Sequence, residues 1–229
     1  MKLLVKRITV LLADDHMMMR EGLRMLLELE DDFKIIGEAQ NGREAVALVK
    51  KLRPDVVLMD IAMPLLNGLE ATRQIRKDFP DTKVLMLSAH GDADYVRQAT
   101  ELGVAGFLLK QTSSDLLAAA IREVHKGNTF FSPAIATHLH GLDQKSLDRG
   151  GPFKKKSNQL SSREMEVLQL IAEGLANKQV AAELGVSFKT VDKHRQHLMG
   201  KLNIHDVAGL TRYAMAEGII KSNIRVIID

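Results

Sequence analysis

Four short apolar runs without internal alternation stand out in the first half of the chain: Ile8 to Leu12, Val56 to Met59, Val84 to Leu87 and Ala105 to Leu109. Alternation marks a strand with one wet face, so unbroken runs of this length predict strands buried on both faces of a parallel sheet. We read strands near residues 7–13, 34–39, 55–60, 83–88 and 105–109. Amphipathic stretches near 15–29, 42–51, 67–77, 92–101 and 113–126 read as helices. Turn-forming pairs (Asn41-Gly42, Arg53-Pro54, Asn67-Gly68, Phe79-Pro80, Gly127-Asn128) fall between the elements. This five-fold alternation predicts a doubly wound α/β domain over residues 6–126, with a five-stranded parallel sheet covered by helices on both faces.

The pattern then changes. Ser132-Pro133 opens a short helix expected to reach His140, and Gly141 to Pro152 is polar, Gly-rich and aperiodic. Residues 127–158 therefore read as a linker, closed by the solvated charge run Lys154-Lys155-Lys156. From Leu160 onward only helical periodicity remains, predicting a small all-α domain over 159–222. Ser161 and Glu164 have capping-box spacing, and Leu160 and Met165 that of a hydrophobic staple. The first helix is expected to end at Gly174. Asn177 is expected to cap a second helix ending at Gly185, and Ser187 a third reaching Leu202. Asp206 caps a last helix through Glu217. The link Leu184-Gly185-Val186-Ser187 between two short helices predicts a helix-turn-helix.

Composition sharpens this division. Of 229 residues, 45% are hydrophobic and 27% charged, enough for two cores. Residues 1–126 carry 18 basic and 19 acidic side chains, whereas residues 127–229 carry 14 and 10. Nucleic acid is therefore expected to meet the second half. Cys is absent, which excludes disulfides and thiolate metal sites and fits a cytoplasmic protein. No apolar stretch is long enough for a membrane span, and Met1 to Arg7 does not read as a signal peptide.

Chemistry collects where the buried runs end. The first run opens onto Asp14-Asp15, and the others stop at Asp60, Ser88 and Lys110. In a parallel sheet the carboxyl ends of the strands form the ligand crevice. Any one polar residue there could simply mark a solvent boundary, but four strand ends carrying carboxylates, a hydroxyl and an ammonium point to a Mg²⁺ and phosphoryl site. Carboxylates suit Mg²⁺, while Ser88 and Lys110 suit phosphoryl oxygens. Met17-Met18-Met19 is expected to line the first helix and fill core gaps, and His16 to lie near the cluster or at the surface. The pairs His138/His140 and His194/His197 have no Cys or acidic support for a metal site.

The motifs Ala13-Asp14-Asp15-His16, Leu58 to Pro64, Leu87-Ser88-Ala89 and Gly106 to Lys110 resemble the receiver domain of bacterial two-component response regulators, a flavodoxin-like fold. The resemblance implies that Asp60 accepts a phosphoryl group from a sensor histidine kinase. It also implies that Asp14, Asp15 and Asp60 place Mg²⁺, and that Ser88 and Phe107 form the switch that reports phosphorylation. Two positions depart from the family pattern. Gln111 stands where many receivers have Pro, and Ala62 offers no group to hold an attacking water. Residues 160–218 resemble the LuxR-type helix-turn-helix domain of the NarL/FixJ regulators, carried by Leu160 to Leu168, Gly174 to Ala181, Leu184 to Ser187 and Lys189 to His194.

At about 100° per residue, Val191, His194, Leu198 and Leu202 share one side of the third helix, and Lys189, Lys193, Gln196 and Gly200 the other. Such a helix suits the major groove, where Lys reads guanine and Gln adenine. Lys178, Ser187, Thr190 and His197 complete the expected contacts with double-stranded DNA. Asp192 stands where relatives are basic, and is expected to accept from cytosine or face away. The last helix resembles the family's dimerisation helix. Gly209 denies it a capping-box partner, at about 1 kcal/mol, so the isolated domain should dimerise weakly and the whole chain on activation. The expected protein is a regulator that catalyses only its own phosphoryl transfer and dephosphorylation. The alternatives are a hydrolase passing through an aspartyl phosphate, which would need an Asp at Ala62, and a receiver with a non-DNA output.

Overall fold

The computed structural model describes residues 7–89, 93–133, 135 and 160–220, and the chain divides into two compact units. In the first, β1 (Ile8–Ala13), α1 (Met17–Glu28), β2 (Phe33–Ala39), α2 (Gly42–Leu52), β3 (Val56–Asp60) and α3 (Gly68–Asp78) follow one another. Then come β4 (Lys83–Ser88), α4 (Ala93–Glu101), β5 (Gly106–Leu109), α5 (Ser114–His125) and β6 (Phe130–Phe131). All pairings are parallel, in the order β2-β1-β3-β4-β5-β6.

Residue parity divides the sheet into two buried faces. Val10, Leu12, Val56, Leu58, Leu85, Leu87 and Leu108 pack with Leu23 and Leu27 of α1 and Leu117, Ile121 and Val124 of α5. The alternate residues Leu11, Val57, Met59, Met86 and Phe107 are equally buried. On their side Thr72 of α3 contacts the Met86 sulfur, and Gly37 brings Leu11 close to Leu48 and Leu52 of α2. Burial on both faces is why these runs lack alternation.

The sheet has six strands rather than the expected five. Phe130 donates its N–H to Ala105 O at 2.9 Å and Ser132 to Phe107 O at 3.1 Å, extending the sheet into residues read as linker. Two residues carry no period, so the sequence pattern could not reveal β6. Gly106 makes room for it, since a Cβ there would lie 2.3 Å from the Phe130 carbonyl oxygen. The methionine expectation also needs correcting. Met17 and Met18 are 65% and 86% exposed, and only Met19 packs on the core. Three consecutive helical positions span about 200°, so they cannot all face inward. The rest of the expected short helix over 132–140, with His138 and His140, falls outside the described residues apart from Ser132, Pro133 and Ile135. So do Gly141 to Pro152 and Lys154 to Lys156.

The second unit contains α6 (Ser162–Ala172), α7 (Asn177–Leu184), α8 (Phe188–Leu202) and α9 (Val207–Ala216). Its core gathers Val167, Leu170, Ile171, Val180, Leu184, Val191, Leu198, Leu210 and Ala214. The capping box at Ser161 forms in both directions: Glu164 N–H reaches Ser161 Oγ at 3.3 Å, and Ser161 N–H reaches Glu164 Oε2 at 2.7 Å. The Asn177 cap is displaced by one residue. Ala176 is the N-cap, its N–H bonded to Gln179 Oε1 at 2.9 Å. Asn177 is drawn instead to Arg195 of α8, accepting from Nη1 at 2.9 Å.

Candidate functional site

Register brings the polar strand ends of the first unit together. Ala13 pairs with Met59, Asp60 with Leu87 and Ser88 with Leu109, so Asp14, Asp60, Ser88 and Lys110 share one edge of the sheet. Lys110 Nζ lies 2.7 Å from Asp14 Oδ2 and 3.0 Å from Asp60 Oδ2, and all three side chains are nearly excluded from solvent. Burial works against the charged ammonium, but Asp60 and Asp14 outweigh it and raise the Lys110 pKa above its ordinary value. Asp60 Oδ1 accepts the Ile61 N–H at 2.8 Å. Lys110 N–H donates to Ser88 O at 2.7 Å, and Gln111 Nε2 to Ala89 O at 3.2 Å, tying the loops after β4 and β5 together.

Asp15 is half-buried, and His16 Nδ1 lies 2.9 Å from its Oδ1 and 3.2 Å from Asp14 Oδ1. His16 is largely exposed, yet it belongs to the cluster. Donor atoms from Asp14, Asp15, His16 and Asp60 all lie within 4.8 Å of one another. Three carboxylates without a thiol suit a hard cation such as Mg²⁺, which takes oxygen ligands and retains water. Phe107 is wholly buried in β5, paired in register with Met86.

Two residues with no assigned role in the sequence pattern shape this edge. Gly68 begins α3 directly over the end of β3, donating to Ile61 O at 2.7 Å, and a Cβ there would sit 1.9 Å from Asp60 O. The pair Asn67-Gly68 signalled a turn but not this close approach. Arg20 of α1 is buried and bonded to the Asp14 carbonyl. No local signal separates it from Arg24, the other arginine of α1, which is far more exposed.

In the second unit, α8 keeps the expected sides. Val191 and Leu198 are buried, His194 and Leu202 are half-buried, and Lys189, Lys193, Gln196, His197 and Gly200 are exposed. Ser187 caps the helix through the Thr190 N–H at 3.1 Å, and its Oγ lies 2.8 Å from Thr190 Oγ1. Lys178 is exposed on α7. An open concavity of about 540 Å³ is lined by Lys189, Thr190, Lys193, His194 and His197. Gln196 is not unencumbered: its Nε2 donates to Asp192 Oδ2 at 2.9 Å. Ties between helices hold the unit together: Arg163 Nη2 of α6 donates to Leu184 O of α7 at 2.9 Å, and Lys201 Nζ of α8 to Glu164 Oε2 of α6 at 2.6 Å. Burial opposes the Glu164 charge, but Lys201 and the Ser161 groups prevail and lower its pKa.

A parallel sheet with a carboxylate-ammonium edge, followed by a helix-turn-helix, defines a two-domain regulator. Residues 10–122 match the response regulator receiver domain, and residues 158–214 the bacterial regulatory proteins of the luxR family. The chain belongs to the two-component response regulators with a LuxR-type DNA-binding domain. It is 35% identical over 226 residues to the transcriptional regulatory protein DegU of Brevibacillus brevis, covering 94% of this chain and 96% of the relative. It is 37% identical over 217 residues to the oxygen regulatory protein NreC of Staphylococcus carnosus, covering 92% and 98%. A solved structure of the Salmonella typhimurium RcsB response regulator superposes with a TM-score of 0.55 at 26% identity, covering 92% and 99%. An RcsB–DNA complex superposes at 0.57 and 25% identity, with the same coverage. Among the described residues no helix is long and apolar enough to cross a membrane. The hydrolase alternative and the non-DNA output lose their support.

Proposed function

We propose that Asp60 takes a phosphoryl group from the phosphohistidine of a sensor kinase, and that this modification controls dimeric binding of duplex DNA through α8. The observation that carries the reading is the Lys110 ammonium shared between Asp14 Oδ2 and Asp60 Oδ2 at the strand ends. Asp60 Oδ1 accepts the Ile61 N–H, and Oδ2, on the Lys110 side, attacks phosphorus in line. The P–N electron pair departs with the imidazole. The departing imidazole takes up a proton, the phosphoryl group brings its negative oxygens beside Asp60, and Lys110 is placed to neutralise them. Ser88 offers its hydroxyl to the same oxygens and, with Phe107, reports the change. Asp14, Asp15 and Asp60 would hold a Mg²⁺ ion, which would supply positive charge to the site. Ala62 has no polar side-chain atom to align a hydrolytic water.

In the second domain, residues 159–222, Lys193 and Gln196 read base edges, while Lys178, Ser187, Lys189, Thr190 and His197 contact the backbone. A relative described as two RcsB dimers bound to two parallel DNAs, 25% identical with a TM-score of 0.56, supports the dimeric mode. Acetyl phosphate with Mg²⁺ should label wild-type protein on Asp60 alone, read by mass spectrometry. Beryllofluoride, a phosphoryl mimic, should increase the sedimenting mass and DNA affinity. Label retained by Asp60→Asn overturns the acceptor assignment, and unchanged mass and affinity overturn phosphorylation-controlled assembly.

A further inference from the structure

Asp14 is held through its main chain as well as its carboxylate. Its N–H donates to Ala39 O at 3.1 Å, the last rung between β1 and β2. Its carbonyl oxygen accepts from Arg20 Nη1 at 2.7 Å. The Arg20 side chain is 8% exposed, and its Nε lies 3.2 Å from Glu38 Oε2 on β2. Arg24, on the next turn of α1, grips the other Glu38 oxygen through Nε at 2.7 Å. Glu38 is thus fixed from both sides, and it aims the Arg20 guanidinium at the Asp14 peptide.

An arginine folded beneath a helix gives up much side-chain freedom and hydration. Here it does so to anchor the turn that presents Asp14 and Asp15. We propose that Arg20, oriented by Glu38, is a positioning residue for the acidic cluster: its bond to the Asp14 carbonyl sets the Asp14-Asp15 turn in the geometry that receives Mg²⁺. A carboxylate on a loose turn must be ordered as the ion binds, and that cost appears as lost affinity. Groups that orient metal ligands without touching the metal have this effect. The inference rests on Asp14 and Asp15 being ligands of the ion.

Mg²⁺ titration of the full chain, followed by the NMR amide shifts of Asp15 and Ile61, tests it. The Kd for Mg²⁺ should rise about tenfold in Arg20→Met and about threefold in Arg20→Lys, which can reach one of the two acceptors. Arg122→Met is the control, because it breaks ion pairs with Glu30 and Asp32 ahead of β2 without touching Glu38 or Asp14. Its Kd should stay within about twofold of wild type, even though its melting temperature falls with that of the Arg20 variants. At saturating Mg²⁺ the acetyl phosphate labelling rate of Arg20→Met should return close to wild type, since Asp60 and Lys110 are untouched. Should Arg20→Met not fold, Arg20→Lys alone decides. A wild-type Kd in the Arg20 variants, or an equal loss in Arg122→Met, overturns the clamp. A wild-type chain that binds no Mg²⁺ overturns the ligand assignment itself, and the inference with it.

Discussion

Lys189 and Lys193 stand four positions apart on the exposed side of α8, and the proposed mode of DNA binding gives them different tasks. Lys189 lies in the first turn, next to the Ser187 cap, where phosphate meets helix N-termini. Lys193 lies a turn further along, where a helix in the major groove faces base edges. Lys193→Ala should therefore cost roughly 1–3 kcal/mol on the specific operator and relax preference at one base pair. Lys189→Ala should weaken all duplexes alike and reduce the slope of log affinity against log salt by about 0.9. Asp192→Ala should tighten random DNA by removing a negative charge, and it frees the Gln196 amide now bonded to it. Fluorescence anisotropy on operator and random duplexes across a salt series reads all three. Equal losses on both duplexes for Lys193→Ala would make this side chain an anchor. The two sides of α8 were legible in the sequence because a 3.6-residue period fixes direction. The Asp192–Gln196 bond was not, because rotamers rather than spacing decide it. The same limit hid Arg20, whose burial depends on where β2 places Glu38.

Elements depend on contacts that a pattern shows only in part. The five long strands and their helices lie within about a residue or two of their expected ends, because burial on both faces and cap residues are local signals. Gly68 shows what such signals omit. Its missing Cβ lets α3 start against the Asp60 carbonyl, so Gly68→Ala must move either α3 or the end of β3. Overpacking of this kind costs about 1–3 kcal/mol, and here it also displaces Asp60, the proposed acceptor. A lower urea midpoint with sharply slowed labelling by acetyl phosphate is the expected result, and wild-type labelling would refute the close fit. In the helical domain, Glu164 joins the α6 cap to Lys201 near the end of α8. Its pKa is lowered in the fold despite burial, because Lys201 and Ser161 favour the carboxylate. The resulting stability is fully present above the unfolded Glu value near ~4.3 and is lost as pH falls through the lower folded value. Glu164→Gln should therefore flatten the acid-side decline in the urea midpoint of this domain. An unchanged acid profile would show that the pair contributes nothing there.

The whole molecule is two cores, one parallel sheet and one helical cluster, each with its own buried residues. The division was legible as a change of period, from buried strands to helices alone, and the basic excess falls in the half that holds the luxR-type domain. The end of the first unit was less legible, since β6 falls beyond residue 126. That strand matters for solubility. An open strand edge offers unpaired N–H and C=O groups as a template for another chain, and proteins blunt such edges with very short strands. Phe130 and Phe131 cover the edge of β5, whose sequence Gly106-Phe107-Leu108-Leu109 is apolar throughout. A first-domain fragment cut after Lys126 would bare that edge, whereas one carried through Ile135 would keep it covered. Light scattering should find the shorter fragment aggregating through strand-to-strand contacts at concentrations where the longer one stays dispersed. Two equally dispersed fragments would mean that two residues of β6 do not protect the sheet from its own copies.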